Sequence, residues 1–199
     1  MHLALLGDSI FDNVYYLKKD EKPVIEHVRH KLSTDSTAEL LAVDGTVVSE
    51  MEEQLERLSG KETHIFLSCG GNDALGMRGM FSQKCENVHE AISKLERPLS
   101  IFRQRYGALM LRLASIGIPV TVCTVYDHVP GLSAEEKLLL SVFNDTIIRE
   151  SGRHGFSLVD LRHICTEEDD YSTISPIEPS GKGGMKIAQK LMETVGTIK

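Results

Sequence analysis

Three short blocks of this chain carry residue types able to do acyl chemistry: Gly7-Asp8-Ser9-Ile10, Asp44-Gly45-Thr46 and Gly70-Gly71-Asn72-Asp73. Each follows directly on an apolar run. A serine hydroxyl acts as a nucleophile when a base takes its proton and the backbone presents it to a substrate. Ser9 meets the second condition, because Gly7 has no Cβ and permits the sharp turn that leaves the hydroxyl at the end of the run. The same residues have plainer uses. Gly-Asp-Ser is a good turn and helix-cap sequence, Gly45 suits a turn, Gly70 and Gly71 suit a backbone that needs positive φ, and Asn72 can bond its own backbone. Asp8, beside the nucleophile, is read as fixing the turn rather than transferring protons.

In their order, these blocks resemble those of the SGNH (GDSL-type) hydrolase family: a GDS nucleophile turn, a loop glycine, a GxND segment and a C-terminal DxxH. Three of the four match here. The resemblance implies an SGNH fold over essentially the whole chain and cleavage of a small ester or acyl substrate through an acyl-enzyme intermediate. It also implies an oxyanion hole formed by the backbone N–H of Ser9, the backbone N–H of Gly45 and the side-chain amide of Asn72. Donors of this kind are aimed at the charge that develops on a tetrahedral intermediate.

The fourth block departs from the pattern. The stretch before the last helix reads Ser175-Pro176-Ile177-Glu178-Pro179-Ser180, with Glu178 at the histidine position and Ser175 at the aspartate position. A carboxylate is a weak base toward a serine hydroxyl unless desolvation raises its pKa, and Pro176, Ile177 and Pro179 supply a stiff, apolar setting for that. The catalytic pair expected is therefore Ser9 and Glu178. Alternatively, Glu178 only caps the last helix, where negative charge is favourable. Asp160-Leu161-Arg162-His163 has literal DxxH spacing, and His128 follows the fourth apolar run, so both histidines compete for the role of base. If none serves, the alternative is a catalytically degenerate SGNH-fold protein that binds a ligand or partner in the same cleft. The glycine-rich Ser180-Gly181-Lys182-Gly183-Gly184 could bind an anion at a helix start, although it lacks phosphate-loop spacing. Met77, Met80 and Phe81 are candidates to line an acyl pocket, or else to pack on the body of the protein.

The elements that must position these residues are legible as five continuous apolar runs at 2–6, 39–43, 64–69, 119–125 and 156–160. Continuous rather than alternating runs suit strands buried on both faces, as in a parallel sheet covered by helices. Between them, helical patterns cover 24–32, 47–58, 99–116 and 135–149, with a last helix over 181–195 capped by Ser180. Pro23 and Pro98 suit first turns, Ser133 with Glu136 has capping-box spacing, and Gly117 and Gly152 suit helix stops. The fold class expected is α/β: a three-layer, doubly wound, flavodoxin-like five-stranded parallel sheet of order 2-1-3-4-5, forming a single SGNH hydrolase-type domain over 1–199. Residues 74–97 are expected to form a lid or a long surface loop.

Composition narrows the partners. With a formal charge of −7 and no dense lysine or arginine cluster, nucleic acid is not expected. No apolar run approaches the roughly 20 residues of a membrane span. No histidine, cysteine and carboxylate grouping has metal-ligand spacing, so neither metal nor cofactor is expected. No signal peptide is visible and Cys69, Cys85, Cys123 and Cys165 are widely spaced, so a cytoplasmic protein with reduced thiols is expected. The partner expected is a small-molecule ester or acyl substrate.

Overall fold

The computed structural model describes residues 1–196; the last three residues of the expected 1–199 domain lie outside the described residues. Five parallel strands, β1 (His2–Gly7), β2 (Thr37–Leu40), β3 (His64–Ser68), β4 (Val120–Cys123) and β5 (Ser157–Val159), form one sheet of order β2-β1-β3-β4-β5. Side chains alternate between the two faces of a strand. Along β1, Ala4 and Leu6 accordingly join one core cluster and Leu3 and Leu5 the other. Both clusters are closed off from water, which is why β1 and β3 read as unbroken apolar runs.

The helices divide between these faces. α1 (Val24–His30) and α6 (Gly181–Thr194) pack with Leu3, Leu5 and Phe66, while α2 (Met51–Leu55), α4 (Val88–Ile116) and α5 (Ala134–Arg153) pack with Leu6, Ile65 and Val122. A one-turn helix, α3 (Gly71–Leu75), follows β3 and contributes Ala74 to the second of these groups. The capping box of Ser133 and Glu136 is formed at the start of α5, and Ser180 Oγ accepts the Gly183 N–H at the start of α6.

Five details differ from the sequence expectation. α4 begins ten residues before Pro98, which lies inside the helix, so much of the expected 74–97 loop is ordered. The preference of proline for a first turn was outweighed by a cap upstream, where Asn87 Oδ1 accepts the Glu90 N–H at 2.9 Å. The early turns of α4 leave Val88 and Ile92 exposed, so they carry no apolar period, whereas Leu99, Phe102, Tyr106, Leu109 and Leu113 are buried at helical spacing. Gly152 falls within α5; the left-handed glycine that follows that helix is Gly155, at φ +66°. Pro23 precedes the first turn of α1 as its N-cap. Finally, β2 starts and ends earlier than 39–43, because Leu41 N and Ala42 N both donate to Leu5 O and the regular ladder stops there. The 47–58 helix is likewise reduced to a 3-10 turn, Val48–Glu50, and α2.

Candidate active site

Gly7 closes β1 at φ +130°, and a Cβ there would stand 1.7 Å from Ser68 O on the adjacent strand. Its peptide is clamped on both sides by buried Gln54, whose Oε1 accepts Gly7 N–H at 2.7 Å while its Nε2 donates to Gly7 O at 2.8 Å. Ser9 thus leaves the sheet along a fixed path. Its hydroxyl donates to Glu178 Oε1 at 3.0 Å, across 169 residues of chain, and both residues are nearly buried, at 6% and 5% exposure.

Glu178 is held from every side by its backbone neighbours. Its own N–H closes a turn on Ser175 O at 3.0 Å, and its carbonyl accepts Ser172 N–H at 2.8 Å. Tyr126 Oη donates to Ile177 O at 2.6 Å, and Asn13 Nδ2 donates to Pro179 O at 3.0 Å. Ser180 N–H then bonds Asp170 O at 2.9 Å, and the buried Asp170 carboxylate is paired with Lys186 at 2.7 Å. The supports from Tyr126 and Asn13 are not legible in the sequence, since each joins segments far apart along the chain. The glycines of 180–184 also find their explanation here. A Cβ on Gly183 would meet Asp170 O at 2.1 Å and one on Gly181 would meet Glu21 Cβ at 2.8 Å, so both serve close packing rather than an open anion cradle.

The charge state of the pair follows from burial. Desolvation pushes Glu178 up from the usual 4.5 to about 7, opposed by the hydrogen bond from Ser9 and helped by the charge of Asp44. Burial likewise pushes Asp8 up to about 7, although Ile10 N–H and Ser68 Oγ both donate to its Oδ1. Asp8 does fix the turn, and it also lines the cleft.

A carboxyl whose folded pKa lies above its unfolded value stabilises the fold at low pH, and this contribution is lost as pH rises from about 4.5 to about 7. His27 and His64, both lowered by burial, act in the opposite sense at mildly acidic pH, and a difference measurement cancels them, leaving Glu178 and the part of the Asp8 shift that its charge causes. Glu178→Gln is expected to gain stability relative to the natural chain by on the order of 3 kcal/mol between pH 5 and pH 8, read from urea midpoints. A constant difference would show that Glu178 is already ionised at pH 5.

The remaining candidates separate clearly. Asn72 lines the cleft with Ser9 and Glu178, and its Nδ2 donates to Thr46 O at 3.1 Å, which leaves its second amide hydrogen without a protein acceptor among the described residues. Gly45, at φ +80°, is not itself among the cleft-lining residues; it neighbours Thr46, which Asn72 holds. Among the described residues neither Ser9 N–H nor Gly45 N–H has a protein acceptor. Asp73 Oδ2 takes Val48 N–H at 3.0 Å and so ties α3 to the segment after β2. His163 is not among the cleft-lining residues and its side chain is 84% exposed, while Asp160 is engaged by Arg162 and Thr124 and held down at about 2. His128 is paired with Asp127 at 2.9 Å. Of the proposed acyl-pocket residues, Phe81 lines the cleft, whereas Met77 and Met80 pack with the core.

No protein-family model matches the chain, and no curated protein matches it in sequence. Solved structures do match. LAE5, an α/β hydrolase enzyme from the metagenome of Lake Arreo, Spain, aligns at a TM-score of 0.76 with 16% identity over 100% of this chain and 96% of that one. The lipase Lip_vut3 from a goat rumen metagenome aligns at 0.77 with 19% identity over 99% and 98%. A protein from Parabacteroides merdae likened to GDSL lipases aligns at 0.75 with 12% identity over 99% and 96%. The chain has the SGNH hydrolase fold. At such identities the likeness is one of fold, and function has to be argued from the site. In this SGNH-fold chain the GDS, DG and GGND blocks follow β1, β2 and β3 at one edge of the sheet, and the loop before α6 brings Glu178 to the same edge. Among the described residues, no helix is long and apolar enough to cross a membrane.

Proposed function

We propose that the chain is a serine hydrolase that cleaves a small ester or acyl substrate, with Ser9 as nucleophile and Glu178 as its base. The observation that carries this reading is the bond from Ser9 Oγ to a buried carboxylate whose pKa is raised to about 7. A base so poised is half ionised near neutral pH and takes a proton far more readily than an ordinary glutamate. Ser9 Oγ attacks the carbonyl carbon while its proton passes to Glu178. The oxyanion is held by the N–H groups of Ser9 and Gly45 and by the Asn72 amide. Collapse expels the alcohol, which leaves with the proton from Glu178. Water then surrenders a proton to Glu178 as it attacks the acyl-enzyme, and the carboxylic acid departs as Ser9 recovers its hydrogen.

Turnover of p-nitrophenyl esters by the natural chain, Ser9→Ala and Asn72→Ala tests this scheme. Ser9→Ala should abolish cleavage, and Asn72→Ala should lower kcat by about a hundredfold or more if the amide meets the oxyanion. The rate should rise with pH through about 7 as Glu178 ionises. An activity indifferent to Ser9 would reject the scheme. One observation favours a second reading, a degenerate hydrolase that binds a ligand in the same cleft: the hydroxyl meets a carboxylate and no imidazole. Binding without any ester turnover would select it. The four cysteines are unpaired, Cys85 exposed and the other three buried, which supports a reducing, cytoplasmic setting.

A further inference from the structure

The cleft that holds Ser9 continues into an apolar pocket between α3, the β4–α5 connection and the start of α5. Its apolar walls include Ile10, Leu75, Val125, Val129, Leu132 and Leu139. Polar groups gather in two places. One is the Ser9 end itself, with Asp8, Asn72 and Glu178; the other is Arg78, ion-paired with Glu136. Arg78, Phe81 and Glu136 also line an adjoining hollow with Ser133 and Glu135 that none of the Ser9-end residues reaches. The ion pair therefore stands where the pocket opens away from the nucleophile. Its two members differ in freedom. Glu136 is held in the α5 capping box, its Oε2 accepting Ser133 N–H at 2.8 Å, whereas the Arg78 side chain is 57% exposed and, among the described residues, anchored only by its pair with Glu136.

We propose that this pocket takes the aliphatic acyl chain of the substrate, and that Arg78, latched onto Glu136, closes the outer end and sets the longest chain admitted. The proposal rests on the serine-hydrolase reading for the fate of the ester, though not for the pocket itself. A pocket for a sugar needs several polar groups converging along its length. Here the one aromatic hydroxyl on the wall, that of Tyr126, already donates to Ile177 O. Between its two polar ends the pocket thus offers hydrocarbon to hydrocarbon.

Calorimetric titration of 2-alkanones of increasing length into the intact natural chain and into Ser9→Ala provides the test, because these ketones carry the carbonyl and no leaving group. Affinity should rise about fourfold with each methylene over the short homologues, then stop rising at a definite length. Arg78→Ala, a change on a half-exposed side chain, should move that break to longer ketones. A flat series, or a break that Arg78→Ala leaves in place, would overturn the proposal. The two readings fail separately. A graded series in a protein that cleaves no ester rejects the hydrolase and keeps the pocket, whereas Ser9-dependent cleavage with a flat series rejects the pocket and keeps the hydrolase.

Discussion

Replacing Glu178 with glutamine is expected to lower ester cleavage by about a hundredfold to ten-thousandfold while the protein stays folded. The amide keeps the size of the carboxylate and can still accept the hydrogen bond from Ser9 Oγ, now made at 3.0 Å to Oε1, but it cannot take the proton. The part of the pH dependence that comes from Glu178 should disappear with it, leaving only what Asp8, also raised to about 7 in the same cleft, contributes. His163→Ala should cost little activity, because that ring lies in solvent and its neighbour Asp160 is engaged by Arg162. Steady-state kinetics on the two variants separate the accounts. A harmless Glu178→Gln with a crippling His163→Ala would make the Asp160–His163 segment the working dyad.

The largest structural effect is expected from Gly7→Ala. A single methyl would enter to within 1.7 Å of Ser68 O, on backbone at φ +130°, and neither the β1–β3 ladder nor the Gln54 clamp can give way without breaking buried hydrogen bonds. A loss above about 4 kcal/mol, or failure to fold, is the expected outcome. Gly45→Ala provides the contrast. It shares a positive φ, at +80°, but has nothing within 4 Å of the added Cβ, so only the backbone cost of about 1–2 kcal/mol applies. Chemical denaturation of both variants reads the difference. Equal losses would mean that strain in φ, and not the close approach of the two strands, makes Gly7 necessary.

Much of this architecture was legible because the central strands are covered on both faces. The runs 2–6, 64–69 and 119–125 have no polar alternation to confuse them, right-handed crossovers between alternating strands and helices make a doubly wound sheet, and the order β2-β1-β3-β4-β5 expected with it is the one observed. The outer parts of the fold were harder to read for an equally physical reason. The first ten residues of α4 expose Val88 and Ile92 and give the core only the partly buried Leu95, so helical periodicity had too short a face to mark. At β2, two amides sharing Leu5 O shifted the end of the strand against its apolar run.

The site shows the same division. Ser9, Asn72 and Glu178 stand at element ends, where short-range turn and cap chemistry exposes a side chain, and their positions could be anticipated. The groups that hold them could not. Gln54 on Gly7, Tyr126 on Ile177 and Asn13 on Pro179 bridge 47, 51 and 166 residues, and nothing local distinguishes them from ordinary polar residues. The place of Asp8 in the cleft wall, with a pKa near that of Glu178, likewise emerges only once the loops are assembled. At neutral pH this leaves two carboxyls of similar proton affinity in the cleft of Ser9, with Asp8 raised in part by the charge of Glu178.

Activation of Ser9 by Glu178 can be read from labelling with a fluorophosphonate probe, because only an activated serine reacts quickly with such a reagent. The adduct, located by peptide mass spectrometry, is expected on Ser9 alone. Its rate of formation should rise as pH passes through about 7, where Glu178 loses its proton, and should fall at least about a hundredfold in Glu178→Gln. A folded natural chain that stays unlabelled at pH 8, or one labelled as fast in Glu178→Gln as without the substitution, would contradict the account.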